Sequence, residues 1–263
     1  MPAYIEFLGL PGTGKTHVYR RLSRELAALK LPFNSVEARA FAVSLRSEHS
    51  ALRARLLALI PRKYIFPLLR QPPSTLAGRK FDAFQKFSTL HRDFSEAIFE
   101  AEGSRISPIR NGDIYLLGMM MEIIWSHQMA LDNPGYLKFL LRDEGFSQRA
   151  ISLYGYHTDP LDHLERNARA YFSTMPLPDA VVVTTTSSLD IAKARLEKRG
   201  YPYRMRMLTA DGREKAFVRM GRIVEIGTEV LRQRGGRIVE IENDDAGDID
   251  RSLRAFVAEL AAR

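Results

Sequence analysis

Apolar residues along the chain fall into two spacings. Five short runs are apolar nearly throughout and end in turn residues: "YIEFLGL" from Tyr4, "FNSVEA" from Phe33, "YLKFLL" from Tyr136, "AVVVTTT" from Ala180 and "RIVEI" from Arg237. Runs of that length and character predict strands buried in a parallel sheet. Other segments repeat an apolar residue every three or four positions. Val18, Leu22, Leu26 and Leu29 do so between Thr16 and Leu29; Leu253, Phe256, Val257 and Leu260 do so between Ile249 and Ala262. That spacing puts one apolar stripe on a helix. Alternation of the two patterns predicts a doubly wound α/β sheet.

The second and third strands lie about a hundred residues apart, too far for a plain loop. The interval predicts its own helices. One runs from about Phe81 to Glu100 with Phe84, Phe87, Phe94 and Ile98 along a stripe. Another, "GDIYLLGMMMEIIWSHQMAL" from Gly112 to Leu131, is apolar on nearly every side and is expected to be buried on most of them. The prolines of "LIPRKYIFPLLRQPPSTLAGRK" predict an irregular connection before these helices. The Phe84, Phe87 and Phe94 stripe and Met119 to Met121 read as core rather than as a ligand pocket. Glu122 and His127 read as satisfied buried polar groups.

Composition and charge narrow the picture. The chain has 263 residues, 45% hydrophobic and 27% charged, an ordinary globular balance with enough length for a real core. The absence of cysteine rules out disulfides, thiolate catalysis and cysteine-ligated zinc. No apolar run is long enough to span a bilayer, and "MPAYIEF" lacks the pattern of a secretory signal, so a soluble cytoplasmic protein is expected. The net charge is +8, and residues 46–92 carry an equal excess: ten Lys or Arg against Glu48 and Asp82. That segment is either a solvated basic face or a surface for an anionic partner.

Candidate chemistry begins with "GLPGTGKT", Gly9 to Thr16, between a predicted strand and a predicted helix. Gly12 and Gly14 allow backbone N–H groups to turn toward an anion, and the following helix aims its positive dipole end at it. Lys15 can reach β- and γ-phosphates, and the Thr16 hydroxyl can ligate Mg²⁺. The loop residues Gly9, Pro11, Gly12, Thr13, Gly14, Lys15 and Thr16 are the expected nucleotide site, with ATP and Mg²⁺ as cofactors. The reaction is left open by this loop alone.

A second stretch, "RDEGFSQR", places Asp143 and Glu144 at the carboxyl end of the third predicted strand, where open α/β sheets bind ligands. Asp143 is the expected Mg²⁺ ligand alongside Thr16; Glu144 is expected to take or orient an acceptor proton. A third, "SSLDIAKARLEKRGYPYRMRM", sets Arg195 and Arg199 four residues apart, with Ser188 or Asp190 able to cap the helix. Arginines closing over a triphosphate would neutralise charge in the transition state, so residues 190–215 are expected to form a lid. Glu37, at the end of the second predicted strand, is either an acceptor-facing acid or a turn residue.

With these stretches in hand, the chain resembles the nucleotide and nucleoside kinases of the phosphate-loop class, thymidylate kinases above all. The likeness rests on Gly9 to Thr16, "RDEGFSQR" and "ARLEKRG" with the closing helix. It implies a three-layer α/β sandwich on a five-stranded parallel sheet, one domain over 1–263. A helical acceptor-side insert spans 38–132 between strands 2 and 3, and the lid is arginine-rich. It also implies phosphoryl transfer from ATP, and it admits a homodimer. In that family the acidic stretch begins Asp-Arg; here Asp143 is followed by Glu144 and Gly145, so the residue that would meet an acceptor phosphate has reversed its charge. Arg149, six residues past Asp143, is the candidate replacement. An acceptor hydroxyl suits Glu144 better.

The leading expectation is a kinase for a small hydroxyl or phosphate acceptor, nucleoside-like, nucleotide-like or sugar-like. Its donor lies on Gly12 to Thr16 and its acceptor between Asp143 to Arg149 and the helical insert. Two alternatives stand beside it. One is a kinase for a larger anionic substrate (nucleic acid, glycan or lipid-linked) tracked by the basic segment. The other is a regulatory nucleotide switch, against which "TTTSSLD" after strand four carries no guanine-reading Asn-Lys-x-Asp.

Overall fold

The computed structural model describes residues 1–48, 74–103, 111–156, 160–244 and 246–261. Five strands, β1 (Ala3–Gly9), β2 (Phe33–Ser35), β3 (Phe139–Arg142), β4 (Ala180–Thr185) and β5 (Arg237–Glu242), form one parallel sheet in the order β2-β3-β1-β4-β5. β1 pairs with β4 from Ile5 opposite Ala180 to Gly9 opposite Thr184, and β4 pairs with β5 from Ala180 opposite Arg237. The five-stranded α/β sheet expected from the apolar runs is therefore present.

The chain divides into two compact units. The larger, Ala3–Phe33 with Leu141–Arg263, holds β1, β4 and β5. Its helices are α1 (Lys15–Ala28), α6 (Phe146–Tyr154), α7 (Leu161–Thr174), α8 (Leu189–Arg199), α9 (Tyr203–Arg206), α10 (Ala210–Gln233) and α11 (Ala246–Ala261). Neighbouring strand residues point to opposite faces. Phe7 meets Tyr19 of α1 edge-on, at 5.5 Å between ring centroids, while Glu6 accepts hydrogen bonds from the start of α6. Helices α1 and α6 therefore cover opposite faces of β1. α11 packs on α1, and α7 and α10 pack with α6, which gives three layers. Of the expected α1 stripe, Val18, Leu22 and Leu26 are fully buried, but Leu29 is exposed, because the helix ends at Ala28 and Leu29 is its C-cap.

The smaller unit, Met1–Pro2 with Asn34–Leu140, is mainly helical: α2 (Val36–Glu48), α3 (Ser74–Leu90), α4 (Arg92–Gly103) and α5 (Asn111–Asp132). Ala40, Ala83, Trp125 and Met129 join α2, α3 and α5 in one core cluster. Phe87, Phe94 and Ile98 are fully buried as core, whereas Phe84 is half-buried and lines a surface cavity with Phe81 and Ser88, contrary to the reading of the whole stripe as core.

Four boundaries differ from the sequence reading. "FNSVEA" is strand only to Ser35, because the Ser35 hydroxyl accepts from the Ala38 N–H at 3.1 Å and caps α2. Glu37 thus sits in the first turn of α2, where its charge suits the helix dipole, and not at a strand end. "YLKFLL" becomes strand only at Phe139, since Gly135 at φ 63° turns the chain and Tyr136 is exposed. The single helix expected over Phe81 to Glu100 is two, separated by His91, which stacks 4.7 Å from Phe87. Finally, α5 is buried on all sides only from Ile123 to Ala130; Met121 and Glu122 are exposed.

Much of the basic segment, including Arg53, Arg55, Arg62, Lys63 and Arg70, lies outside the described residues. Within them, Lys80 pairs with Glu122 (3.1 Å), Lys86 with Asp132 (2.5 Å) and Arg92 with Glu96 (2.7 Å). Glu122 and Asp132 come from α5, beyond the stretch whose charge was counted, so the linear excess overstates the field these residues present. Among the described residues no helix is long and apolar enough to cross a membrane.

Candidate functional site

The strand-to-helix turn after β1 is built as a cradle. Gly12 (φ 92°) and Gly14 (φ 86°) both take the left-handed backbone that other residues adopt only with strain. At Gly14 a side chain is excluded twice over, because a Cβ would lie 1.8 Å from Nδ2 of Asn243. Pro11 lies in the turn from Leu10 to Thr13, where the Thr13 N–H donates to the Leu10 carbonyl at 3.3 Å. The Thr13 hydroxyl donates to the same carbonyl at 2.9 Å and lies 2.9 Å from the hydroxyl of Thr184 on β4. Asn243, just past β5, donates from Nδ2 to the Thr13 carbonyl at 2.7 Å. The loop is thus tied to the carboxyl ends of β4 and β5.

Lys15 opens α1. Its Nζ donates to the carbonyls of Gly9 (2.7 Å) and Leu10 (3.0 Å) and so folds back into the loop. Loss of hydration there lowers its pKa to about 8, against smaller upward pulls from Glu144 and Asp143 and a further downward push from Arg199. Lys15, Asp143, Glu144 and Arg199 therefore share one electrostatic neighbourhood. The Thr16 hydroxyl donates to Oδ2 of Asp143 at 2.9 Å, which joins the two residues expected to share a metal.

The sign of the Lys15 shift sets a pH dependence. The folded pKa lies below the ordinary lysine value, so the charged form is a cost to the fold below pH 8 that is relieved as pH rises. A triphosphate favours the charged form. Nucleotide affinity should hold below about pH 8, weaken above it by up to about tenfold per unit, and proton uptake should accompany binding between pH 8 and 9. Calorimetry in buffers of different ionisation enthalpy checks this; affinity flat from pH 7 to 10 contradicts it.

Asp143 and Glu144 are held by a residue the sequence reading passed over. Glu6, on β1, is fully buried. Its carboxylate accepts from the backbone N–H of Phe146 (2.9 Å) and Ser147 (2.7 Å), buried donors of the first turn of α6 that have no intrahelical acceptor, and from the Tyr4 hydroxyl. Gly145 lets this happen, since a Cβ there would lie 2.2 Å from Oε1 of Glu6. Gln148 accepts from the Gly9 N–H at 3.2 Å and ties the same helix to the loop entrance. The signal was present: Glu6 is the one charged residue in "YIEFLGL".

Glu144 is exposed, and Arg149 donates from Nη2 to its Oε2 at 2.8 Å while being nearly buried itself. Arg195 and Arg199 both lie on α8, as expected, but they face different work. Arg195 donates to the Asn243 carbonyl at 2.6 Å and lies 3.7 Å from Asp244. Asp244 in turn accepts from the Ser187 N–H at 2.6 Å, and the hydrogen bonds from Ser187 hold its carboxyl below the usual range ahead of the pull of Arg195. Arg199 ends α8 within reach of the Lys15 field. Ser188 is the α8 N-cap by position, without a side-chain bond, and Asp190 lies in the first turn.

No protein-family profile matches the chain, and no curated protein does. Among solved structures, deoxyadenosine kinase from M. mycoides with the products dCMP and a flexible dCDP bound superposes with a TM-score of 0.44 at 12% identity, over 99% of this chain and 100% of that one. The same enzyme with bound dCTP gives 0.43 at 12% identity over the same shares. Likeness at that level carries no argument about what this chain binds.

Proposed function

We propose that the chain is an ATP-dependent phosphotransferase that moves the γ-phosphoryl group to the hydroxyl of a small acceptor. The observation that carries this reading is the convergence of Lys15, Thr16, Asp143 and Glu144, joined by the Thr16 to Asp143 hydrogen bond. Thr16 and Asp143 offer two hard oxygens on adjacent elements, which fits Mg²⁺, a cation that takes few protein ligands and completes its shell with water and phosphate. When bound there it would neutralise charge on the β- and γ-oxygens. ATP supply and the lack of cysteine suit a cytoplasmic setting.

In this reading the amides around Gly12 and Gly14 and the α1 dipole hold the phosphates, and Lys15 leaves the loop carbonyls to meet them. The acceptor oxygen forms a bond to the γ-phosphorus while the bond to the β,γ-bridging oxygen breaks, and ADP leaves. The acceptor's proton passes to Glu144. Arg199, whose charge bears on Lys15, is the candidate to balance the transferring charge. The preference for a hydroxyl over a phosphate acceptor rests on Arg149. The cation that would greet an acceptor phosphate is engaged by Glu144.

Incubation with γ-labelled ATP and a panel of nucleosides, deoxynucleosides, nucleoside monophosphates and sugars tests the reading. Label should pass to a hydroxyl compound and not to a monophosphate; ATP merely hydrolysed across the panel would defeat it. Glu144→Gln should slow transfer about 10²-fold or more while leaving ATP affinity within about twofold. Unchanged turnover would remove Glu144 from the mechanism.

A further inference from the structure

The segment between α8 and α10 is not a bare loop. Gly200, at φ 90°, ends α8, and the four-residue α9 follows before Thr209 caps α10 by accepting from the Gly212 N–H at 3.1 Å. Met205 of α9 is fully buried in a cluster with Leu196 of α8 and Phe217 of α10, and Tyr156, Leu189 and Tyr201 pack against it. Arg204 makes two contacts with the far end of α6. Its Nη1 donates to the Ser152 carbonyl in the last turn of that helix, and its guanidinium lies 4.5 Å from the centre of the Tyr156 ring. A planar cation stacked on an aromatic face beside a helix carboxyl end satisfies both its charge and its donors. The two neighbours on the same helix, Tyr203 and Arg206, face solvent.

Helix α6 therefore carries a fixed point at each end. Its start is anchored by Glu6 beside Asp143 and Glu144; its end is gripped by Arg204. Arg199 lies five residues before Arg204 on the same arginine segment. We propose that Arg204 and Tyr156 form a latch that docks the arginine segment onto α6 and thereby positions Arg199 against the phosphate site. Arg204 is a positioning residue, with no contact of its own to the phosphates. The proposal rests on the nucleotide-site reading above, but its test requires no acceptor.

Two measurements decide it: hydrogen exchange over residues 201–208, and binding of Mg-ATP by calorimetry. Arg204→Ala should speed exchange in that segment about tenfold or more, with the amides of β1 and β4 unchanged. Tyr156→Leu should do the same. Tyr156→Phe keeps the ring and should keep the slow exchange, whereas Arg204→Lys loses the planar stack and should not. Arg204→Ala should weaken Mg-ATP binding about five- to tenfold, and Arg199→Ala with Arg204→Ala together should be no weaker than Arg199→Ala alone, the non-additivity expected when one residue acts through the other. Additive losses, unaltered exchange in Arg204→Ala, or a Tyr156→Phe effect equal to that of Tyr156→Leu each overturn the latch. If the exchange and binding results hold while no acceptor is ever phosphorylated, the latch stands and the phosphotransferase reading falls.

Discussion

Lys15→Ala is expected to reduce phosphoryl transfer about 10²- to 10³-fold or more, the usual loss when one pre-organised donor to developing charge is removed. The residue has no substitute among the groups that surround it. The loop amides and the helix dipole would hold phosphate in place but carry only partial charges, and the Arg199 charge acts from another element. A second outcome separates a lost ligand from a damaged fold. The Lys15 ammonium is poorly hydrated and its pKa has fallen to about 8, so its charge opposes folding at neutral pH. The Lys15→Ala chain should therefore melt at the same temperature as the parent or higher while failing to transfer phosphate. Calorimetric melting beside a γ-phosphate transfer assay reads both. Transfer within tenfold of the parent would mean that phosphate is held somewhere else.

Glu6→Ala is expected to destabilise the chain by about 3–5 kcal/mol, which is large for a position outside the nucleotide loop. The change leaves the Phe146 and Ser147 N–H groups buried without their acceptor, at about 1–3 kcal/mol each, and adds a cavity beside Gly145. In a chain this long, that loss lowers the melting temperature by about 6–20 °C. Glu6→Gln keeps a single carbonyl oxygen and an isosteric side chain, so it should lose less than Glu6→Ala. Because Glu6 holds the segment that carries Asp143 and Glu144, transfer should also fall in Glu6→Gln at temperatures where the chain is still folded. A Glu6→Ala variant within about 1 kcal/mol of the parent would show that α6 is anchored by other contacts, with Gln148 and the Tyr171 hydroxyl on the Phe146 carbonyl at 2.9 Å the next to examine.

β1 and β4 were readable because a strand buried on both faces has no polar alternation to confuse, whereas β5, at the sheet edge, is only half-buried and was readable from its alternation. β1, β4 and β5 begin within one residue of where their runs begin. The misreadings came where local polar chemistry cut an apolar run short. Ser35 ends β2 by capping α2, and the turn at Gly135 delays β3 to Phe139. Charge was read least well. Lys80 and Lys86 belong to a basic stretch in the sequence, yet their partners Glu122 and Asp132 lie some forty residues away, a proximity that no linear count contains.

By itself the sequence determined the strand-to-helix turn over Gly9 to Thr16, since its glycines act through backbone geometry set within eight adjacent residues. It also determined the class of sheet, because the strand and helix periods are local. Only the tertiary structure decided how the cradle and the acids are held. Glu6 reaches α6 across 140 residues of chain, and Asn243 reaches Thr13 across 230. Those contacts depend on which strand ends become neighbours, and a buried polar group is tolerated only where folding brings it a hydrogen-bond partner.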